Sequence, residues 1–437
     1  KCQKWLHPSI FGKPCVLALL MATQVQSFWI DLREALSSLP LLSRIVHIFW
    51  LLGPFILLIE RTPADVWITL IGLFFVGRSL FRRDGHWLNV AWVRAAFLFW
   101  SACLITALYS PIPFYSFGEA FVWFRFPLFA MATVFWLAKD KRLLYAMLFS
   151  TALGSLTLCL ILGAEFLIVG QQDGRLSWPY GDLVPGSYLA KTALPVFTAA
   201  VAMAVSQGGR VAASSAAFIL ISMIASLLTG ERINFLIRSC SGMLAALVWR
   251  PKLNRIAIIL AVEFSAITFA MISAPGVATR YISNFWEHLP TGVHSPYFTA
   301  MMPGVVAFQQ RPIAGYGPGA LRELCPDVIV NNPALVCHPH PHNFYIQLAG
   351  ETGIFGLVAG TLFFGVILWT CFVAGVRHRD NVLTATAFIV PLSFFWPIAS
   401  TADFFGQWNN IFMWSGLSLA LAATNLVPES KSIGWSN

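Results

Sequence analysis

The chain has 437 residues, 57% of them hydrophobic and only 11% charged, where a soluble domain carries about a quarter charged residues. With a mean hydropathy of +0.71, it is too poor in polar surface for a water-soluble enzyme, a disordered chain, a collagen or a disulfide-rich secreted module. The formal net charge is +9, which in so apolar a chain reads as an orientation signal, with no nucleic-acid partner expected.

A bilayer core about 30 Å thick needs about 20 mostly apolar helical residues. Such runs fall at 45–59, 64–80, 90–109, 119–138, 142–170, 187–206, 211–229, 231–249, 254–274, 343–376, 382–400 and 406–425. They predict an all-α polytopic membrane protein with twelve transmembrane helices. Residues 15–30 form a briefer run with Gln24 and Gln26, followed by Asp31 and Arg33. This reads as an interfacial helix lying on the membrane. A cleaved signal peptide is the weaker reading, because no small-residue cleavage site is clear. With the N-terminus inside, eighteen Lys and Arg fall on the cytoplasmic side and eight outside, while Arg94 and Arg125 lie within spans. That asymmetry supports twelve spans with both termini in the cytoplasm. The expected organisation is an N-terminal segment (1–44), nine spans (45–274), one large outer loop (275–342), three spans (343–425) and a tail (426–437). The loop is rich in Pro, Gly, His and aromatic residues.

The unusual residues cluster on the expected outer side. Arg175 opens a polar loop with Trp178, Tyr180 and Asp182, a set suited to stacking on sugar rings and bonding hydroxyls. An interfacial aromatic belt gives the same composition. Gly230-Glu231-Arg232 precedes the eighth run, where exposed helix N–H groups and an arginine make a seat for phosphate. A plain snorkelling anchor is the alternative. Arg238 lies six residues deeper, where an anchor fits less well.

The long loop ends in Cys337-His338-Pro339-His340-Pro341-His342-Asn343. Alternation with Pro favours extended backbone, so the three rings could share a face. A metal site, a general base and a polar loop end are the competing readings. Metal ranks lowest, since neither His-Glu-x-x-His nor Asp-x-Asp is present. Asn343, Gln347 and Glu351 follow at intervals of four and form one polar stripe on an apolar helix. Cys325 and Cys337 could form a disulfide in an oxidising compartment; two free thiols are the alternative.

Four segments in order resemble the O-antigen ligase and polymerase superfamily of bacterial envelope glycosyltransferases. Arg175 to Gly186 resembles its Arg-x10-Gly loop, and Leu228-Thr-Gly-Glu-Arg232 its Thr-Gly-Ser-Arg segment. Arg311-Pro-Ile-Ala-Gly-Tyr-Gly317 is similar to its Pro-x-x-Gly-x-Gly turn, and His342-Asn-Phe-Tyr-Ile-Gln-Leu-Ala-Gly-Glu-Thr-Gly353 to its His-Asn…Glu-x-Gly signature. Glu231 departs from the small residue usual in the second segment. A second Arg-x10-Gly loop, typical of polymerases, is absent: Thr291 and Arg322 stand where its glycine would follow Arg280 or Arg311.

The resemblance implies an inverting, metal-independent and cofactor-free transfer at the periplasmic face of the bacterial inner membrane, with a GT-C-like fold. The donor would be an undecaprenyl-diphosphate-linked glycan. The acceptor would be a lipid A-core sugar for a ligase, the favoured reading, or a second lipid-linked glycan for a polymerase. Membrane lipids complete the expected partners. His342 would be the general base, and Arg232 and Arg280 would hold the diphosphate. Arg175 and Arg311 would contact donor phosphate or sugar. His338, His340, Asn343, Glu231 and Arg125 complete the expected substrate contacts. A lipid-linked sugar flippase is the runner-up, although transporters more often show two related halves with short loops.

Overall fold

A computed structural model describes residues 28–181, 185–248, 253–279, 281, 295–332 and 335–426. Among these residues the regular secondary structure is all helical, with no strand and only an isolated bridge between Gln172 and Arg175. Arg280, Asp182, the tail beyond 426 and nearly all of the 15–30 run lie outside the described residues.

Among the described residues seven helices are long and apolar enough to cross a membrane: Arg61–Arg82, Ala91–Leu108, Pro113–Leu137, Lys141–Ile168, Gly209–Leu228, Ile256–Ser273 and Phe344–Arg377. An eighth span arises if Pro185–Thr192 and Leu194–Ser206, which meet at a 59° bend, count as one. The other four of the twelve expected runs are also helical but shorter, at Leu41–Leu51, Arg232–Val248, Val382–Phe394 and Gln407–Ala423. A 17-residue helix rises only about 26 Å, short of a hydrocarbon core of about 30 Å. The described residues of the expected outer loop include the helices Pro275–Ala278, Pro296–Gln310 and Leu321–Val328.

Gln407–Ala423 owes its place to composition on every face. Each residue from Asn409 to Ala423 is buried, as expected of a helix apolar all round in the middle of a bundle. It packs against Arg125–Ala132, the turn Tyr188–Thr192 and Ile389–Phe394. The bundle's outer surface is apolar too, with Phe81, Phe114, Leu160, Leu167 and Ile398 exposed. Apolar residues on both sides of a helical wall fit a hydrocarbon solvent.

The longest helix, Phe344–Arg377, carries the outer segments. It packs against Ala91–Leu108 on one side and Pro296–Gln310 on another. Its regular backbone breaks at Gly353, with φ 60° and ψ −162°, a conformation that favours glycine. The break admits the Pro312–Gly317 turn: Ile354 N donates to Pro312 O at 2.8 Å, Tyr316 N to Gly350 O at 3.0 Å, and Gly317 N to Glu351 O at 2.6 Å.

The polar stripe on this helix does the same work. Glu351 is buried and accepts from Gly319 N at 3.1 Å and Leu321 N at 3.3 Å. Gln347 donates to Asp403 Oδ1 at 2.7 Å and to Glu351 Oε2 at 3.2 Å, and accepts from Phe404 N at 2.9 Å. Asp403 also accepts from Arg322. The stripe therefore fastens two outer segments, 312–322 and 401–406, to one helix. A disulfide between Cys325 and Cys337, with Cα atoms 5.7 Å apart, ties Leu321–Val328 to the start of the histidine run.

Candidate active site

Three outer segments converge on a cavity of about 560 Å³. The first follows the Lys141–Ile168 helix. Glu165, buried near its end, accepts from Ser177 N at 2.9 Å and Trp178 N at 2.8 Å, folding the polar loop back over the helix. This directs Arg175 into the cavity lining.

The second segment is the turn between Gly209–Leu228 and Arg232–Val248. Gly230 takes a φ of 70° and ends the incoming helix, the usual role of glycine just past a helix terminus. Arg232 then opens the next helix at the cavity wall. Glu231 stands beside Arg232 in this turn. It accepts from Gly186 N at 2.8 Å and from Asn234 Nδ2. A Cβ at Gly186 would lie 2.7 Å from the Glu231 carboxyl carbon, so glycine there permits the contact. Glu231 joins the first segment to the second.

The third segment is the histidine run. His340 and His342 both line the cavity, with ring centroids 4.3 Å apart. His342 has a φ of 52°, a left-handed conformation unusual for a residue with a side chain. It is held there from both sides. His342 O accepts from Thr401 N at 2.8 Å. Asn343, next in the chain, caps the long helix by accepting from Tyr345 N at 3.0 Å and Ile346 N at 3.1 Å. Burial, then the neighbouring His338, hold the His342 imidazole below its ordinary value, against a hydrogen bond at the Thr401 backbone. Burial, then His342, lower His340 as well. Both rings are therefore neutral near pH 7, each with a lone pair to accept a proton. His340 Nε2 and the Thr401 hydroxyl are buried without a hydrogen-bond partner among the described residues. Polar atoms of this kind at a cavity await a ligand or water.

The remaining expected residues lie elsewhere. His338 does not line the cavity, but its ring stands 6.1 Å from that of His342. Asn343 caps its helix and donates to Pro397 O at 2.7 Å. Arg311 is exposed, donates to Tyr109 O at 3.2 Å and lies over the Tyr316 ring. Arg125 is buried in an ion pair with Asp65 at 2.8 Å. Arg238 is buried, donates to Leu189 O and stacks on Phe197. Arg94 sits exposed at the start of its helix and bonds Asn89. Arg280 is outside the described residues.

The cavity lining also includes residues with no local motif to mark them: Lys191, Ser187, Asn234, Tyr297, Trp408 and Asn409. The available signal was polarity inside apolar runs, as at Lys191 and at Asn409-Asn410. A neutral imidazole pair lining the same cavity as Arg175, Arg232 and Lys191 can accept a proton from a substrate while the cations hold an anion. Aromatic rings line the walls between. Among the described residues no group of three or more His, Cys, Asp or Glu side chains could hold a metal ion.

Fold and cavity define a helical membrane protein with a cation-lined site. The family model described as O-antigen ligase matches residues 216–359, and this match supports a relationship to the O-antigen ligase superfamily. The matched stretch contains Arg232, the Pro312–Gly317 turn, both cavity histidines and Glu351. A comparison with the curated proteins finds no match.

Proposed function

We propose that the protein is an inverting, metal-independent glycosyltransferase that moves a glycan from undecaprenyl diphosphate to a lipid A-core acceptor at the periplasmic face of the inner membrane. The observation that carries this reading is the convergence of His342 and His340 with Arg175 and Arg232 on one cavity. The family match supports the same class of enzyme.

The acceptor hydroxyl oxygen attacks the anomeric carbon of the donor sugar. A carbon–oxygen bond forms as the bond to the diphosphate breaks, and the electron pair leaves with undecaprenyl diphosphate. His342 takes the hydroxyl proton. Positioned general bases contribute about 10²- to 10⁴-fold. Arg232 and Arg175 bind the diphosphate and stabilise the charge that develops on it. Arg280 and Arg311 remain proposed donor contacts, and His340 a sugar contact beside the base.

The test is a reconstituted assay with purified protein, chelator, a cognate undecaprenyl-diphosphate glycan and lipid A-core, comparing wild type with His342→Ala. Glycan transferred to lipid A-core, reduced at least about 100-fold in the variant, is the expected result. Longer glycans still on the lipid carrier would reassign the protein as a polymerase. No new bond with either acceptor, from folded protein, would refute the transferase reading.

A further inference from the structure

We propose that Lys191 is a ligand of the donor diphosphate, and that Glu231 beside it sets how tightly that anion is held. The proposal rests on the donor reading above. Nothing in the resemblance points to Lys191; its position in the cavity does.

Lys191 lies in the π-helical turn Tyr188–Thr192, at the bend between Pro185–Thr192 and Leu194–Ser206. The turn is fixed on two sides. Arg238 donates to Leu189 O within it. Gly416 abuts Lys191 O so closely that a Cβ there would lie 2.1 Å away. The side chain thus leaves a rigid backbone and enters the cavity lined by Arg175, Arg232 and His342.

Its ammonium group is oriented but not neutralised. Nζ donates to Asn409 Oδ1 at 2.6 Å and Ser187 Oγ at 3.2 Å. An ammonium has three donors, so these two neutral acceptors leave one. Among the described residues no carboxylate oxygen lies within 4.0 Å of it. The acid whose field reaches it is Glu231, whose oxygens are occupied by Gly186 N and Asn234. Asn234 also donates to Ser187 Oγ at 3.3 Å. Asn409, Lys191, Ser187, Asn234 and Glu231 therefore form one hydrogen-bonded wall.

The charge count fits the proposed anion. Among the described cavity residues three cations, Arg175, Lys191 and Arg232, face one carboxylate, Glu231. Burial pushes the Glu231 carboxyl up to about 7; with the histidines neutral and Glu231 ionised, these described residues sum to two positive charges. A diphosphate esterified at both ends carries two negative charges. Without Lys191 the cavity would be one charge short; without Glu231 it would hold the anion more tightly and release the lipid diphosphate product more slowly.

The test uses the full chain in nanodiscs with farnesyl diphosphate and farnesyl monophosphate as probes, measuring affinity over a series of salt concentrations. A charge-assisted hydrogen bond lost in a desolvated site weakens binding about ten- to a hundredfold. Lys191→Gln should lose about that much for farnesyl diphosphate, lose less for the monophosphate, and flatten the salt dependence. Lys191→Arg should restore most of the loss, and Glu231→Gln should tighten diphosphate binding several-fold. A residue that only braced Asn409 would lower stability without separating the two probes. Folded Lys191→Gln that binds farnesyl diphosphate like wild type overturns the proposal and leaves the donor reading standing. Wild-type protein that binds neither probe overturns both. If Lys191→Gln does not fold, Glu231→Gln decides: tighter binding sustains the proposal and unchanged or weaker binding overturns it.

Discussion

Replacing Glu351 with Leu should detach the outer segments from the helix that carries the site, and the size of the effect follows from its contacts. Glu351 is buried, and three N–H donors converge on its carboxylate: Gly319 N, Leu321 N and Gln347 Nε2. A buried donor left without a partner costs about 1–3 kcal/mol. Three of them at the low end of that range amount to about 3 kcal/mol, a large share of the stability of a typical domain. Leu returns some apolar burial but fits a pocket whose walls are backbone amides. Glu351→Gln keeps one acceptor oxygen and turns an NH₂ toward donors, so it should fall between. The assays are thermal unfolding in detergent and limited proteolysis between residues 312 and 342. Glu351→Leu should melt earlier and be cut faster in that segment, with transfer activity lost in parallel. Glu351 does not line the cavity, so activity should track folding across the two variants. A Glu351→Leu protein with wild-type melting and cleavage but no activity would refute this reasoning and make Glu351 a catalytic group.

Gly315→Ala should destabilise the same junction by roughly 2–5 kcal/mol, because its φ is 67° and a Cβ would lie 2.4 Å from the Glu351 carbonyl carbon. Gly365→Ala, with open space around its Cβ, is the matched control and should change melting by less than about 0.5 kcal/mol. Transfer should persist as pH falls to 6.5 and decline only below it: burial holds His342 under its ordinary 6.5, and protonation removes the lone pair a base needs. An acid limb of kcat/KM above 6.5 would contradict His342 as that base. Cys337→Ser opens a link across a separation of twelve residues, worth about 3 kcal/mol by loop-closure entropy. It should speed proteolysis near 337 and lower transfer, with a reductant reproducing both effects in wild type.

What could be read from the sequence follows the range of the interactions. Helicity was legible because apolar runs are local. The short helices are harder to read, because an apolar run of 17 residues satisfies a buried bundle position as well as a lipid-facing one. Gln407–Ala423, buried from Asn409 onward, is the former. Arg175, Arg232, His340 and His342 could be picked out because each sits in a compact local pattern that marks a loop or helix start. Lys191 and Asn409 could not, since their partnership joins positions 218 residues apart and neither has a local signature.

The polar stripe shows how one pattern can serve two purposes. Asn343, Gln347 and Glu351 read as one polar stripe, and in the structure all three bind backbone groups of the protein itself. A buried backbone amide in an outer segment needs a partner as much as a substrate does. Periodicity reports that a helix face is polar and not what that face meets. The segment from His342 to Gly353 thus combines a cavity-lining imidazole at its first residue with a cap, a clamp and a bend that hold that residue in place. Mutations at Asn343, Gln347 or Glu351 that abolish activity are accordingly weak evidence for catalysis unless folding is measured beside them.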